Sequence, residues 1–131
     1  MLTYSQDAGQ TWTSPVRVND DPVIDQTDHL LPQLLVTANG SVYVSYFALT
    51  RGQVDVYLAQ STDHGMHFLS HRRITDSSWN FALGVGVTTD LGKQIWVGDY
   101  QGLAAAPGVV YLLWNDSRTS HLELFLAAVR A

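Results

Sequence analysis

The chain has no cysteine, a single glutamate, and only seven lysines and arginines together. Without cysteine there is no disulfide and no thiolate, so thiol catalysis and a cysteine-built metal site are excluded, while the compartment stays open. Domains that bind nucleic acid carry a basic patch. This chain has a net charge of −5 and none, so nucleic acid is not an expected partner. No apolar run approaches the roughly 18 residues that a membrane-spanning helix needs, and no membrane association is expected. No basic segment followed by an apolar one opens the chain as a signal peptide would. Charged residues make up only 15% of the 131, against about 25% in an ordinary domain. Little of each strand should therefore face water.

What is present is a repeat, the feature to seek first in a chain of short apolar segments. Tyr4, Ser5, Asp7, Gly9 and Trp12 align with Gln60, Ser61, Asp63, Gly65 and Phe68. Further on, Val16-Arg17-Val18-Asn19-Asp20 aligns with Arg72-Arg73-Ile74-Thr75-Asp76. A second correspondence sets Asn39-Gly40-Ser41-Val42-Tyr43-Val44-Ser45-Tyr46 against Pro107-Gly108-Val109-Val110-Tyr111-Leu112-Leu113-Trp114, with Asp55–Ala59 falling opposite Glu123–Ala127.

The repeat unit holds four strands. The first is expected near 32–37 and 101–105, the second at 41–47 and 109–114. The third is expected at 54–60 and 122–129, with a stub at 2–5, and the fourth near 16–19 and 72–75. Valine and aromatic residues fill these segments, and Gly, Asn, Asp and Pro separate them. Asn39-Gly40 is a strong hairpin signal, because both residues tolerate positive φ. Strand 109–114 has no polar residue, so it should be buried on both faces, with a layer above and below. The glycines at 84, 86, 92 and 98 mark 76–99 as one long linker. The cycle begins and ends at nearly the same point. The chain opens in mid-strand, as a fragment or a permuted domain would.

Ser5, Asp7, Gly9 and Trp12, and again Ser61, Asp63, Gly65 and Phe68, sit where a third strand turns into a fourth. An aspartate at a tight turn accepts hydrogen bonds from nearby backbone N–H groups. The glycines supply positive φ, and Trp12 and Phe68 are expected to cover the turns. The role read from this chemistry is structural.

These two turns resemble the Asp boxes, or BNR repeats, of the sialidase superfamily. Asp28-His29-Leu30-Leu31-Pro32, Val97-Gly98-Asp99-Tyr100-Gln101-Gly102-Leu103-Ala104 and Trp114-Asn115-Asp116-Ser117-Arg118 are similar to segments of bacterial sialidase-like proteins. The resemblance covers nearly the whole chain, but only about a third of a six-bladed propeller. It implies an all-β fold: a β-propeller segment of about two four-stranded blades, completed to a six-bladed ring by oligomerisation or by a longer parent chain. Residues 1–20 would give the third and fourth strands of one blade, 28–76 a full blade, and 99–131 three strands of the next. Three copies would make six blades, so self-association, as a trimer, is one expected partnership and a carbohydrate ligand the other. The family also implies a secreted or extracellular setting and, in its active members, exo-sialidase chemistry. That chemistry uses three arginines on the substrate carboxylate, a tyrosine nucleophile assisted by glutamate, and an aspartate acid/base.

On this fold, loops 20–31, 48–53, 76–99 and 115–120 form the functional face. Arg51 and Arg118 fall in equivalent loops, as ligand-binding groups or as solvated arginines. Asp28, His29 and Asp116 join them as ligand candidates, and Asp99 and Tyr100 are the catalytic candidates, each with a plain packing or turn role as its alternative. Glu123, the sole glutamate, matches Asp55 at a strand start and forms no assignable pair with a tyrosine. The expectation is a glycan-related module without complete sialidase machinery; the alternatives are an exo-sialidase fragment that needs other blades, or a self-assembling structural piece. No cofactor is expected. The histidines at 29, 64, 67, 71 and 121 lack the spacing of a metal site. The aspartates at 20, 21, 25 and 28 match no EF-hand, which leaves a solvated loop as the reading over a calcium loop.

Overall fold

The computed structural model describes residues 1–89 and 92–130. It is all-β, with three antiparallel sheets, none of them closed. Among the described residues the only helical element is a single 3-10 turn, Phe81–Leu83. Sheet 1 contains β1 (Asp28–Val36), β2 (Val42–Thr50), β3 (Gln53–Ser61) and β4 (Arg72–Arg73) in that spatial order, and β5 (Trp79–Asn80) also pairs with β3. Sheet 2 is the hairpin of β6 (Val85–Thr89) and β7 (Gly92–Trp96). Sheet 3 is β8 (Gly102–Ala106), β9 (Val109–Asp116) and β10 (Glu123–Arg130), with β9 in the middle.

The turns set the registers. Gly40 takes φ +83° between β1 and β2, and its N–H donates to Thr37 O at 2.9 Å. A Cβ there would fall 2.1 Å from the His64 ring, so glycine lets the two neighbouring turns meet. Between β2 and β3, Arg51 and Gly52 both have positive φ. That is a two-residue hairpin whose twist matches its strands, and it places Thr50 opposite Gln53.

Sheet 1 is apolar on both faces, and both are covered. One face carries Tyr43, Phe47, Val54, Val56 and Leu58 and packs with Trp79 against Val110, Leu112 and Trp114 of sheet 3. Phe47 meets Trp79 edge to face at 5.8 Å, and Trp114 stacks on Phe125 at 6.0 Å. Burial of side chains of this size contributes about 1.5–3 kcal/mol each. The other face carries Val42, Val44, Tyr46 and Ala59 and packs against Val18, with Leu2 and Phe68 at its margin. The N-terminal segment, sheet 1 and sheet 3 thus form three layers.

The seven strands expected in sheets 1 and 3 are present, most of them longer than expected. β1 starts at Asp28 rather than near residue 32, because a register shift between Leu30 and Gln33, with Leu31 at φ +50°, carries the strand past Pro32. Three expectations are corrected. The stretch 76–99 is not one linker, since it holds β5, the 3-10 turn and the hairpin of sheet 2; Asp90 and Leu91, which belong to that stretch, lie outside the described residues, as does Ala131 of the third segment. The N-terminal segments at 2–5 and 16–19 are joined by an isolated bridge, Leu2 with Val16, rather than by strands. And β9 is covered on one face only: Val110, Leu112 and Trp114 are buried, while Tyr111 and Leu113 are turned outward.

Replacing Phe47, 1% exposed, by alanine removes the ring that fills the space between sheets 1 and 3. Phe47→Ala should lower unfolding free energy by about 3–5 kcal/mol in urea denaturation. Val23→Ala, at a position 87% exposed, should change it by no more than about 0.5 kcal/mol.

Candidate functional site

The two Ser–Asp turns share one bonding scheme. In the first, Ser5 Oγ donates to Asp7 Oδ1 at 2.7 Å and accepts from the Gly9 N–H at 2.7 Å. Asp7 also accepts from the Thr11 N–H and hydroxyl, at 2.8 and 2.5 Å. In the second, Ser61 Oγ donates to Asp63 Oδ1 at 2.8 Å and accepts from the Gly65 N–H at 2.9 Å, while Asp63 accepts from the His67 N–H at 2.9 Å. Ala8 and His64 have φ near +60°, and Gly9 and Gly65 both have +87°. Phe68 packs against the second core cluster. Trp12 lies over Gly9 but is itself 61% exposed, so it covers its turn less than expected.

The donors hold both carboxylates ionised. The Thr11 hydroxyl, its N–H and then Ser5 bring Asp7 down to about 2. The His67 N–H, then its ring and Ser61, hold Asp63 well below the carboxylate range. These turns stand away from the loops that bear the candidate ligand groups. Ser61 is opposite Val42, at the end of sheet 1 that holds the β1–β2 turn, whereas Arg51 lies at the other end.

That other end gathers several of the expected residues. Arg51 is exposed in the β2–β3 turn. Asp28 opens β1 opposite Leu49, and the neighbouring Thr27 and Thr50 hydroxyls are 2.8 Å apart. The Phe81 N–H donates to Gly52 O at 2.9 Å, which ties the segment after β5 to the same turn. Ser117 Oγ reaches Asn80 O at 3.5 Å, which brings in the β9–β10 loop.

In that loop Asp116 and Arg118 are bound to each other. Asp116 is fully buried and accepts from the Arg118 N–H, Nε and Nη2 at 2.8, 2.9 and 2.6 Å, and from Trp114 Nε1 at 3.3 Å. Arg118 also bonds through Nη1 to the exposed Asp76, and its guanidinium lies 4.5 Å from the centre of the Phe125 ring. The hydrogen bond to Asp116 raises the Arg118 pKa, and Arg118 in turn lowers that of Asp76. Asp116 therefore positions the arginine, and the Asp76 carboxylate occupies the outward edge of the guanidinium.

The catalytic candidates are reached by Asn115, the neighbour of Asp116. Asp99 accepts from Trp96 Nε1 at 3.0 Å, and Tyr100, 85% exposed, receives the Asn115 side chain on its carbonyl oxygen at 3.5 Å. Glu123 accepts from the Thr119 hydroxyl at 2.9 Å. Among the described residues no tyrosine hydroxyl bonds to it.

His29 belongs to a different cluster, one the sequence did not reveal. Its Nε2 is 2.8 Å from Asp21 Oδ2, and its ring meets Tyr46 edge to face at 5.2 Å. The Tyr46 hydroxyl is 2.5 Å from His71 Nδ1, and His71 Nε2 is 3.2 Å from Asp20 Oδ1. Burial pushes the Tyr46 hydroxyl well up, and Asp21 and Asp20 add to the effect. The Asp21 carboxyl is lowered on balance: burial raises it, and hydrogen bonds from Asn19 and His29 outweigh that. Tyr46 is only 4% exposed, so this cluster joins the N-terminal segment to sheet 1 rather than presenting a nucleophile. Among the described residues no group of three His, Asp or Glu side chains is placed to hold a metal ion.

Two outcomes follow. Because the folded pKa of Asp7 and Asp63 lies below the unfolded value near 4, the stability these turns add is complete above that value and is lost as pH falls towards 2. Thermal melts should show this loss between about pH 4 and 2, less steeply in Asp7→Asn, and most weakly in the double variant with Asp63→Asn. Arg118→Ala leaves Asp116 buried without its cation. It should cost about 3–5 kcal/mol in chemical denaturation, as breaking a buried pair does, and Arg118→Lys should recover only part of this because it cannot make the forked contact.

A scan against models of known protein families and a search of curated proteins both returned no match to this chain.

Proposed function

We propose that the chain is a segment of an Asp-box β-propeller of sialidase-like type, about two blades long, that binds acidic glycans outside the cell and does not hydrolyse them. The observation that carries this reading is the doubled Ser–Asp turn. The two copies share donors, acceptors and backbone angles, and the second joins the third and fourth strands of sheet 1. The face-to-face layering of sheets 1 and 3 around a shared core agrees with stacked blades.

The loop end supplies the binding chemistry. Arg51 is an exposed guanidinium in the β2–β3 turn. Arg118, held from behind by Asp116 and Phe125, points its outer edge at Asp76. A sugar carboxylate would take the place of that aspartate, since guanidinium groups grip planar carboxylates in two-point fashion. Turnover needs an activated nucleophile. The only glutamate, Glu123, meets the Thr119 hydroxyl and, among the described residues, no tyrosine hydroxyl, and the hydrogen bond at the exposed Tyr100 is to its backbone oxygen.

Binding to a panel of sialylated and neutral oligosaccharides tests this. Sialylated ligands should bind and neutral ones should not. Arg51→Ala should weaken binding about tenfold or more, the value of one charged hydrogen bond, and Asp76→Ala should strengthen it by freeing Arg118. A fluorogenic sialoside should not be cleaved. Equal binding of neutral and acidic sugars, or binding indifferent to both substitutions, would overturn the reading.

A further inference from the structure

Sheet 3 leaves one apolar face open. Leu113 on β9 and Leu124 and Leu126 on β10 share it in register, and Leu124 and Leu126 are 68% and 67% exposed. Tyr111 lies on the same face and is 39% exposed. Its counterpart in the repeat, Tyr43, is 3% exposed, because sheet 3 covers it. No charged residue stands on this face before Arg130 at its margin.

On the other side of the molecule a second apolar strip is open. Leu34 and Val36 of β1, each 58% exposed, are in register with Val44 and Val42. The N-terminal segment covers much of β2 and β3 on that side but stops short of β1. A groove of about 390 Å³ remains, lined by Leu34, Val36 and Val42 and by Leu2 and Tyr4 opposite.

The two open surfaces are the two halves of a contact the molecule already makes internally. Within the chain, the face bearing Tyr43 and Phe47 receives the face bearing Val110 and Leu112. The open face of sheet 3, with Tyr111, is of the first kind. The strip beside Val42, the counterpart of Val110, is of the second kind. Contiguous exposed apolar residues on a sheet face mark a candidate association surface.

We infer that a second copy of this chain covers them: sheet 3 of one copy packs on the β1 strip of the next, head to tail. The contact is heterologous, so it closes into a ring or extends. It rests on the pairing of faces and on no ligand, so it stands or falls apart from glycan binding.

Light scattering across a wide concentration range tests it, with Leu126→Lys to block one surface and Val36→Lys to block the other. Both positions are exposed, and circular dichroism checks that each variant keeps its fold; Leu124→Lys and Leu34→Lys replace any that does not. The unaltered chain should form assemblies larger than a dimer that dissociate on dilution. Each variant alone should be a monomer. Their equimolar mixture should form a heterodimer that grows no further, because the one intact surface of each variant is used up in the pair. A chain that is monomeric at every concentration would overturn the inference. So would assembly that survives Val36→Lys but not Leu126→Lys, since sheet 3 would then be pairing with itself, and so would a mixture that stays monomeric.

Discussion

A strand that is apolar on both sides must be covered twice, and β2 and β3 are such strands. Phe47, Val54 and Val56 point one way and Val44, Tyr46 and Ala59 the other, and all six are buried. Hairpin turns of two to five residues keep these strands antiparallel and side by side, so neither face can be covered by folding the sheet on itself. Each face needs a separate layer. The N-terminal segment supplies one and sheet 3 the other. Apolar area left in water would cost about 25 cal/mol per Å²; the cost therefore falls on the two outermost surfaces of the stack, not on its middle.

Layering on apolar faces leaves charges no room except at strand ends and edges, and there they are used in small closed sets. Asp55, at the start of β3, accepts from Arg73, Thr75 and Ser78 together and so fixes the edge strand β4 and the chain that follows it. Asp116 does the same for the β9–β10 loop. Asp20 and Asp21, facing His71 and His29, fasten the N-terminal segment to sheet 1. With so few cations in the chain, these contacts engage Arg73 and Arg118, and Arg51 is left in an exposed turn.

The strands of sheets 1 and 3 were legible because two signals coincided: glycines at the hairpins and a repeat that fixed which strand was which. The same glycine signal misled at 76–99. Gly84, Gly86 and Gly92 read as loop, yet Gly86 lies inside β6 and Gly92 opens β7. At the site, Arg118 looked like a free loop arginine. Its partner stands only two residues away, and a buried acid beside a strand-end tryptophan was the available clue. The Tyr46–His71 contact joins residues 25 apart across two turns, and nothing local in either segment announces it.

The Ser–Asp turns and the arginine loops differ in what their carboxylates do, and the geometry explains why they occupy opposite ends of the sheet. At the turns, Asp7 and Asp63 point back into their own turns, and their side-chain hydrogen bonds go to neighbours within four residues, with the His67 ring among the partners of Asp63. Their charge is directed at the turn itself. At the loop end, Asp116 is buried behind Arg118 and fixes a guanidinium whose outer edge still needs an anion. Asp76 now meets that need from an exposed position, where a surface ion pair contributes little. In the proposed binding, an anion that brings more contacts than this one side chain would displace it. The carboxylate behind the arginine holds the group in place, and the carboxylate in front stands where such a ligand would bind.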